Sequence, residues 1–224
     1  MRDKRTKDNQ HHKPRIIPLY AIIFIAVVNL AGIIGLNIKY TQSLFRFLTP
    51  FTLITVTGIL LAYHKNRNRL FFFFTILTTC LGLTVEIIGV NTGLIFGNYQ
   101  YGATLGWKIL NTPIVIGVNW LMLGYMGTSI AMKINRKLVF QVLIGALLMV
   151  LLDIFMEPVA GKYNLWSWKS GSIPVLNYIG WYLLSSIIVF LGIKLKVNPD
   201  NQVTIPVYII QLFFFLTLNI IDRL

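Results

Sequence analysis

The sequence predicts an all-α, polytopic membrane protein: a bundle of about seven transmembrane helices with a cytoplasmic N-terminus. Of its 224 residues, 56% are hydrophobic and 12% are charged, whereas about a quarter of an ordinary soluble domain is charged. The mean hydropathy is +0.71. The apolar residues also form runs of about 17–22 residues, the length at which a helix crosses the hydrocarbon core of a bilayer.

These runs predict the elements in order. Residues 1–15 form a basic cytoplasmic tail, and residues 16–224 form a single transmembrane domain. Pro113 opens the fourth run and Pro206 lies near the start of the seventh, where a first turn tolerates proline. Pro158 follows the fifth run. The predicted helices are 16–37, 47–63, 70–91, 113–132, 137–156, 177–195 and 204–221.

The positions of the basic residues predict the orientation. Fourteen of the 20 lysines and arginines lie in the tail and in the connections after the second, fourth and sixth runs. Cytoplasmic segments of membrane proteins carry such an excess, which predicts a multi-pass protein of the cytoplasmic (inner) membrane. The basic residues behind the net charge of +13 are therefore expected to set the orientation and to contact anionic lipid headgroups, and nucleic acid is not expected as a partner.

Two long connections, 92–112 and 157–176, then fall on the outer side. Both are rich in aromatic residues, glycine and asparagine. Aromatic residues favour the membrane interface, and irregular backbone at membrane depth must pack on protein or line a cavity. We therefore expect the two connections to fold back as caps over the outer end of the bundle.

Three of the seven acidic residues lie in apolar runs: Glu86 in the third, and Asp153 and Glu157 at the end of the fifth. A charge at membrane depth costs roughly 2.5–3.5 kcal/mol or more, so such acids are candidates for function. Asp153 and Glu157 are four residues apart and share a helix face, so one of them is expected to keep its proton. Among the basic residues, Lys162 could reach back to them. The alternative is that both acids cap the helix end in interfacial water, although acids there oppose the helix dipole.

Glycines and aromatic residues accompany these acids. Gly82, Gly89 and Gly93 share the face of Glu86 and predict a groove beside its carboxyl group, whereas the alternative is tight packing of helices through small residues. The aromatic residues predict either an interfacial belt or a cavity whose ring faces stabilise a cation. They are Phe96, Tyr99, Tyr101, Trp107, Trp120, Trp166, Trp168 and Trp181.

Several kinds of chemistry find no support in the sequence. The histidines are His11 and His12 in the tail and His64 in a loop, so histidine boxes are absent. There is also no DxxxD cluster, glycine-rich nucleotide loop, CxxC or GxSxG motif. No metal or cofactor is therefore predicted, and a catalyst here would work with carboxyls, amides, water and aromatic rings.

Four blocks, in this order and spacing, resemble a known family. They are EIIGVNTGLIFGNYQYG from Glu86, P-x6-W at Pro113–Trp120, D-x3-EP-x7-WSW from Asp153, and P-x2-NYIGW ending at Trp181. Together they are similar to the membrane proteins of carotenoid biosynthesis that include bacterial carotenoid 1,2-hydratases and haloarchaeal bisanhydrobacterioruberin hydratases. The resemblance covers about residues 70–195, and the first two runs match only as apolar helices.

The resemblance implies a cofactor-independent enzyme that adds water to the terminal C=C of a ψ-end carotenoid, such as lycopene or γ-carotene, and forms a tertiary alcohol. Membrane lycopene cyclases are similar and share the protonation step, but their PxE and paired-glutamate signature is absent here, which favours hydration. A proton-coupled transporter and a structural subunit remain as alternatives from other classes.

A specific hypothesis follows from this chemistry. Asp153 or Glu157 donates the proton, and the other acid of this pair sets the pKa of the donor. Glu86 orients or deprotonates the water. These roles could also be exchanged. The apolar substrate enters from lipid, and other carotenoid enzymes are possible partners. The residues expected to line the site are Asn91, Asn98, Tyr99, Tyr101, Trp120, Trp166, Trp168, Asn177 and Trp181.

Overall fold

The computed structural model describes residues 16–197 and 199–223, and this part of the chain contains seven helices that are long and apolar enough to cross a membrane. The predicted fold class is therefore confirmed. The basic tail, residues 1–15, lies outside the described residues, and the orientation of the bundle stays a prediction. The helices are α1 (Ile16–Asn37), α2 (Gln42–Ala62), α3 (Arg69–Thr92), α4 (Val115–Ile134), α5 (Leu138–Ala160), α6 (Val175–Lys194) and α7 (Thr204–Arg223).

Helix α4 is the centre of the bundle. It packs against α2, α3, α5, α6 and α7, whereas α1 packs on the periphery against α2 and α7. Glycines let its neighbours approach: a Cβ at Gly117 would lie 2.7 Å from the Thr79 carbonyl oxygen of α3, and one at Gly124 would lie 2.4 Å from Ile188 of α6. Small residues are what close packing of membrane helices requires, and the packing interpretation applies to these two glycines.

Two predicted helix boundaries are wrong at prolines. Helix α5 continues to Ala160, so Pro158 lies in its last turn, and Pro113 belongs to a short strand before α4 begins at Val115. A proline inside a membrane helix is tolerated where its surroundings satisfy the carbonyl group that it leaves without a partner. As a consequence, Glu157 lies in the last turn of α5, three residues before Ala160, and Asp153 lies one turn earlier.

The two long connections form a cap (residues 93–114 and 161–174) over one end of the bundle. Strands β1 (Tyr99–Tyr101) and β4 (Trp166–Trp168) pair antiparallel, with Tyr99 opposite Trp168 and Tyr101 opposite Trp166. Tyr99 and Tyr101 are buried and Gln100 is exposed, as the two-residue period of a strand dictates. The cap also contains a hairpin of β2 (Lys108–Ile109) and β3 (Thr112–Pro113).

A separate polar cluster lies at the opposite end of the bundle. His64 is buried, stacks on Phe71 and bonds the Tyr125 hydroxyl through Nδ1 at 2.8 Å. Asn201 donates to the same hydroxyl at 3.0 Å and to the Leu60 carbonyl at 2.7 Å. This cluster joins the α2–α3 and α6–α7 connections to α4, and none of the three predicted acids takes part in it.

The orientation can be tested by labelling cysteines. Cys80 is first replaced by serine, and one cysteine is then placed in each of two loops, by Trp107→Cys in the cap or Lys65→Cys at the opposite end. Both positions are exposed. A membrane-impermeant maleimide added to intact cells is expected to label only the cap position, because the basic loops should face the cytoplasm. Labelling of Lys65→Cys alone would show that the orientation is the opposite of the predicted one.

A second prediction concerns the contact between α3 and α4. A Cβ at Gly82 would lie 2.4 Å from Cβ of Trp120, whereas one at Gly58 in α2 has no atom within 4 Å. Gly82→Ala should lower the free energy of unfolding by about 1–3 kcal/mol, because it forces two packed helices apart. Gly58→Ala is the matched control and should be neutral or stabilising by up to about 1 kcal/mol, since alanine favours helix. Thermal unfolding in detergent measures both, and equal effects would contradict the packing.

Candidate active site

Glu86 is the first of three buried acids at the cap end of the bundle. It lies six residues before the end of α3, about 9 Å below that end at the rise of an α-helix. Its Oε2 accepts hydrogen bonds from the hydroxyls of Tyr99 at 2.5 Å and Tyr101 at 2.7 Å, and its Oε1 accepts one from Nε1 of Trp120 at 2.9 Å. Three neutral donors therefore hold this carboxyl group in one orientation.

Glu157 is held in a similar way by a different set of donors. Its Oε2 accepts from the indole N–H groups of Trp166 at 3.1 Å and Trp168 at 2.7 Å. Its Oε1 accepts from the Asn177 amide at 3.1 Å. The only two glutamates of the chain are thus each surrounded by three side-chain donors.

Asp153 lies one helical turn before Glu157 and is less completely bonded. Its Oδ2 accepts from Nδ2 of Asn177 at 2.9 Å, so the same amide nitrogen donates to both acids. Its Oδ1 is buried and has no hydrogen-bond partner among the described residues. Leaving a buried polar atom without a partner is costly, so Asp153 is the least satisfied of the three acids.

The β1–β4 ribbon supplies four of the six donors to the two glutamates. Alternate residues of each strand face the bundle, so the tyrosines of β1 reach Glu86 while the tryptophans of β4 reach Glu157. Burial, and next the charge of Glu86, raises the pKa of the Tyr99 and Tyr101 hydroxyls above the ordinary value. Both phenols therefore remain protonated, as a hydrogen-bond donor must.

A cavity of about 20 Å³, here called the small cavity, lies among these groups. Glu86 and Glu157 both line it, whereas Asp153 does not. A space of this size holds one water molecule, and a buried water needs two to four polar partners, which the two carboxyl groups help to provide. The other lining residues are Phe96, Tyr99, Tyr101, Ile116, Asn119, Trp166, Trp168, Asn177 and Trp181.

A much larger cavity of about 340 Å³, here called the large cavity, adjoins the small one. Its wall is mostly apolar and is built from α1, α2, α4, α5, α7 and the cap, with residues such as Val28, Leu53, Met156 and Phe214. Ile116, Asn119 and Trp166 line both cavities. An apolar cavity that meets a few convergent polar groups is typical of a small-molecule site.

Most of the predicted site residues come together here. Tyr99, Tyr101, Trp166, Trp168, Asn177 and Trp181 line the small cavity with the two glutamates. Trp120 does not line it, but it donates to Glu86 and stacks on Trp181 with 4.2 Å between ring centroids.

The structure corrects the predicted place of Asn91 and Asn98. Both are exposed, and neither lines the small or the large cavity. The Asn91 amide donates to the Leu110 carbonyl and accepts from Asn111, so it fastens the β2–β3 hairpin. The main-chain carbonyl of Asn98 accepts from the Lys169 amide and extends the ribbon. The reason is that both asparagines lie where the chain leaves α3, so they support the cap from outside.

The groove predicted beside Glu86 is also corrected, because aromatic rings fill it. A Cβ at Gly82 would meet Trp120, and one at Gly89 would lie 2.7 Å from the Phe96 ring. The glycines therefore admit the rings that surround the carboxyl group. Lys162 does not reach the acids either, because its ammonium group pairs with Asp222 at 2.8 Å.

Two features of the site escaped the sequence reasoning. Asn119 lines both cavities, and its signal was present as an asparagine inside the apolar P-x6-W block. The contributions of α1, α2 and α7 to the large cavity had no signal, because ordinary apolar side chains in membrane helices also face lipid or one another.

The raised pKa of Tyr99 predicts how stability responds to alkali. A group with a raised pKa in the folded state stabilises the fold below its unfolded value, about 10 for tyrosine, and this contribution is lost as the pH rises further. Tyr99→Phe should therefore make the loss of stability above pH 10 less steep, by up to about 1.4 kcal/mol per pH unit. Chemical denaturation between pH 8 and about 11 in detergent tests this. Tyr40→Phe, at a side chain that is 95% exposed, is the control, and equal slopes for the two variants would contradict the prediction.

Comparison with known proteins shows the family of the chain. Residues 47–223 match the family described as carotenoid biosynthesis protein. Bisanhydrobacterioruberin hydratase of Haloarcula japonica is 29% identical in an alignment of 121 positions that covers 48% of this chain and 39% of that protein, so the match spans well under half of the relative. No solved structure matches the chain. Because the family match spans most of the sequence and includes all three buried acids, the chain belongs to the carotenoid biosynthesis protein family.

Proposed function

We propose that the protein is a carotenoid hydratase that adds water across the terminal C=C of an acyclic, ψ-type end and forms a tertiary alcohol. One observation carries the proposal: a cavity with room for one water lies between two glutamates and adjoins a large apolar cavity. The family and the hydratase relative support a carotenoid as the substrate. Hydration of an alkene needs an acid, a water and an acceptor for its proton, and this site has three carboxyl groups and room for a water.

The large cavity would hold the acyclic end of the substrate. Its volume of about 340 Å³ suits one end of a long polyene, and the remainder would extend into lipid. Entry beside α1 is the simplest route, because α1 is peripheral and lines the large cavity together with α2. The reacting double bond would then lie near Ile116 and Trp166, where the two cavities meet.

The proton would come from the Asp153–Glu157 pair, which Asn177 joins. Glu157 is the member that faces the small cavity, so it transfers the proton to C2 of the alkene, and Asp153 acts behind it as a positioning residue. The alkene π electrons form the new C–H bond, which leaves a tertiary cation at C1. A positioned general acid of this kind contributes about 10²–10⁴-fold to a rate.

Water would complete the reaction from the small cavity. Its oxygen bonds to C1, and the proton that it loses passes to Glu86. That proton returns to the Asp153–Glu157 pair through the next water that enters between the glutamates, so the enzyme is regenerated. The faces of Trp166 and Trp181, which line the small cavity, would stabilise the cation until water adds.

The same geometry helps to separate hydration from the alternatives. A cyclase shares the protonation but must keep water away from the cation, whereas this site has a water-sized cavity between two carboxyl groups. A transporter is expected to bind at a broken helix near the membrane midplane. Here the acids cluster at the cap end of unbroken helices α3 and α5.

The test is expression in bacterial cells that accumulate lycopene, with pigments analysed by chromatography and mass spectrometry. The expected product is a tertiary alcohol that is heavier than lycopene by one water. Glu86→Gln, Asp153→Asn and Glu157→Gln should each lower its formation by about 100-fold or more, because each removes a proton-transfer group or its partner.

The matched control is Asp222→Asn, which neutralises an acid that lies at the same end of the bundle and pairs with Lys162 outside both cavities. It should leave the product unchanged. A cyclic product without oxygen would show that the enzyme is a cyclase. An unchanged pigment would refute the proposal that it hydrates lycopene-type ends. Wild-type levels of alcohol in all three site variants would refute the assignment of the acids.

A further inference from the structure

We propose that Asn119 is a positioning residue that holds the attacking water at the junction of the two cavities. The proposal rests on the proposed function and deepens it, because it names the group that decides whether the cation captures water. Asn119 lies in α4, is only 8% exposed and lines both the small and the large cavity.

The Asn119 amide has no hydrogen-bond partner among the described residues. Five asparagines of the described chain are buried, and four of them make side-chain hydrogen bonds: Asn29, Asn177, Asn201 and Asn219. No described group bonds the side chain of Asn119. A buried amide without a partner is costly, and water or a ligand is the ordinary means of satisfying it.

Most of the other polar groups around the small cavity already make hydrogen bonds. The hydroxyls of Tyr99 and Tyr101 donate to Glu86, and the indoles of Trp166 and Trp168 donate to Glu157. The Asn177 amide donates to both acids of α5. Among the described residues, the donors around the small cavity that no hydrogen bond uses are the Asn119 amide and the indole N–H of Trp181. Of these two, only Asn119 also lines the large cavity, where the cation forms.

These contacts assign each atom of the water a partner. Once the proton has left Glu157, the two glutamates can accept the two O–H groups of the water. The Asn119 amide donates to one lone pair of the oxygen, and the second lone pair is left to face the large cavity, where the cation forms. Because Asn119 lines both cavities, this arrangement places the nucleophile on one side of C1 only.

The position of the water decides whether the cation becomes alcohol or returns to alkene. If the water is misplaced, the cation can return to alkene by losing a proton to Glu157. Protonation itself does not use Asn119, so a variant that lacks the amide should still protonate the substrate. Hydration should fall while exchange of hydrogen between substrate and solvent continues.

The experiment measures both outcomes in the same sample. Membranes that contain the full-length protein are incubated in D₂O with lycopene, and mass spectrometry follows hydrated product and deuterium in recovered substrate. Asn119→Leu, which removes the amide at similar volume, should lower the ratio of hydration to exchange at least about tenfold, the effect of a group that orients a reactant. Asn119→Ser keeps a small donor and space for a second water, so its ratio should be intermediate.

The control is Asn219→Leu. Asn219 is also 8% exposed, but its amide donates to carbonyls of Phe155 and Phe215 and it lines neither cavity. That variant tests the loss of a buried asparagine as such, and its ratio should equal that of the wild type even if less protein folds.

Three results would overturn the proposal. An unchanged ratio in Asn119→Leu means that the amide does not hold the water, and equal losses of hydration and exchange mean that its role is structural. If Asn119→Leu does not fold, the ratio in Asn119→Ser decides alone, and a wild-type value contradicts the inference. A wild-type protein that neither hydrates nor exchanges lycopene would instead refute the proposed function, and the inference about Asn119 would end with it.

Discussion

The constraint on which the site depends is that three carboxyl groups must be satisfied at membrane depth with no cation from the described residues bonded to them. Charge there is expensive, and the common solution is an ion pair. The nearby ammonium group, that of Lys162, pairs with Asp222 instead. Phenols, indoles and one amide surround the acids, and these neutral donors orient a carboxyl group while leaving its charge uncompensated. A carboxyl group held in this way remains free to exchange a proton, whereas a bidentate arginine would fix it as an anion.

This constraint explains why the cap is as much a part of the site as the helices. Helices α3 and α5 deliver the glutamates, but four of the six donors to them come from the β1–β4 ribbon. The two-residue period of its strands turns alternate side chains inward, and antiparallel pairing sets the tyrosines beside the tryptophans. The central position of α4 completes the arrangement, because it supplies Trp120 to one glutamate and Asn119 to the space between the two cavities.

The sequence predicted the features that follow from local composition. Bilayer thickness imposes the length of the apolar runs, so seven helices were predictable, and Glu86, Asp153 and Glu157 stood out because acids are rare in such runs. The failures have a different origin. Whether Asn91 or Asn119 faces the site depends on how a helix end meets a hairpin and how α4 is rotated, and neither is a local property. The groove beside Gly82 is filled by Trp120, 38 positions away along the chain, and the large cavity combines side chains from five helices.

The division into two cavities offers a reason why related membrane proteins can share the protonation step and then either add water or close a ring. A tertiary cation reacts with whichever nucleophile lies nearest, so the chemistry after protonation is decided by what the site holds beside C1. A second double bond of the substrate folded back beside C1 would give a ring, whereas a water held there by polar groups would give an alcohol. In this protein two glutamates line the small cavity, and Asn119 lies where it adjoins the apolar one. Replacing a few polar side chains at that junction by apolar ones would exclude the water while leaving the acid in place, and this makes the junction, more than the acid, the expected determinant of the product.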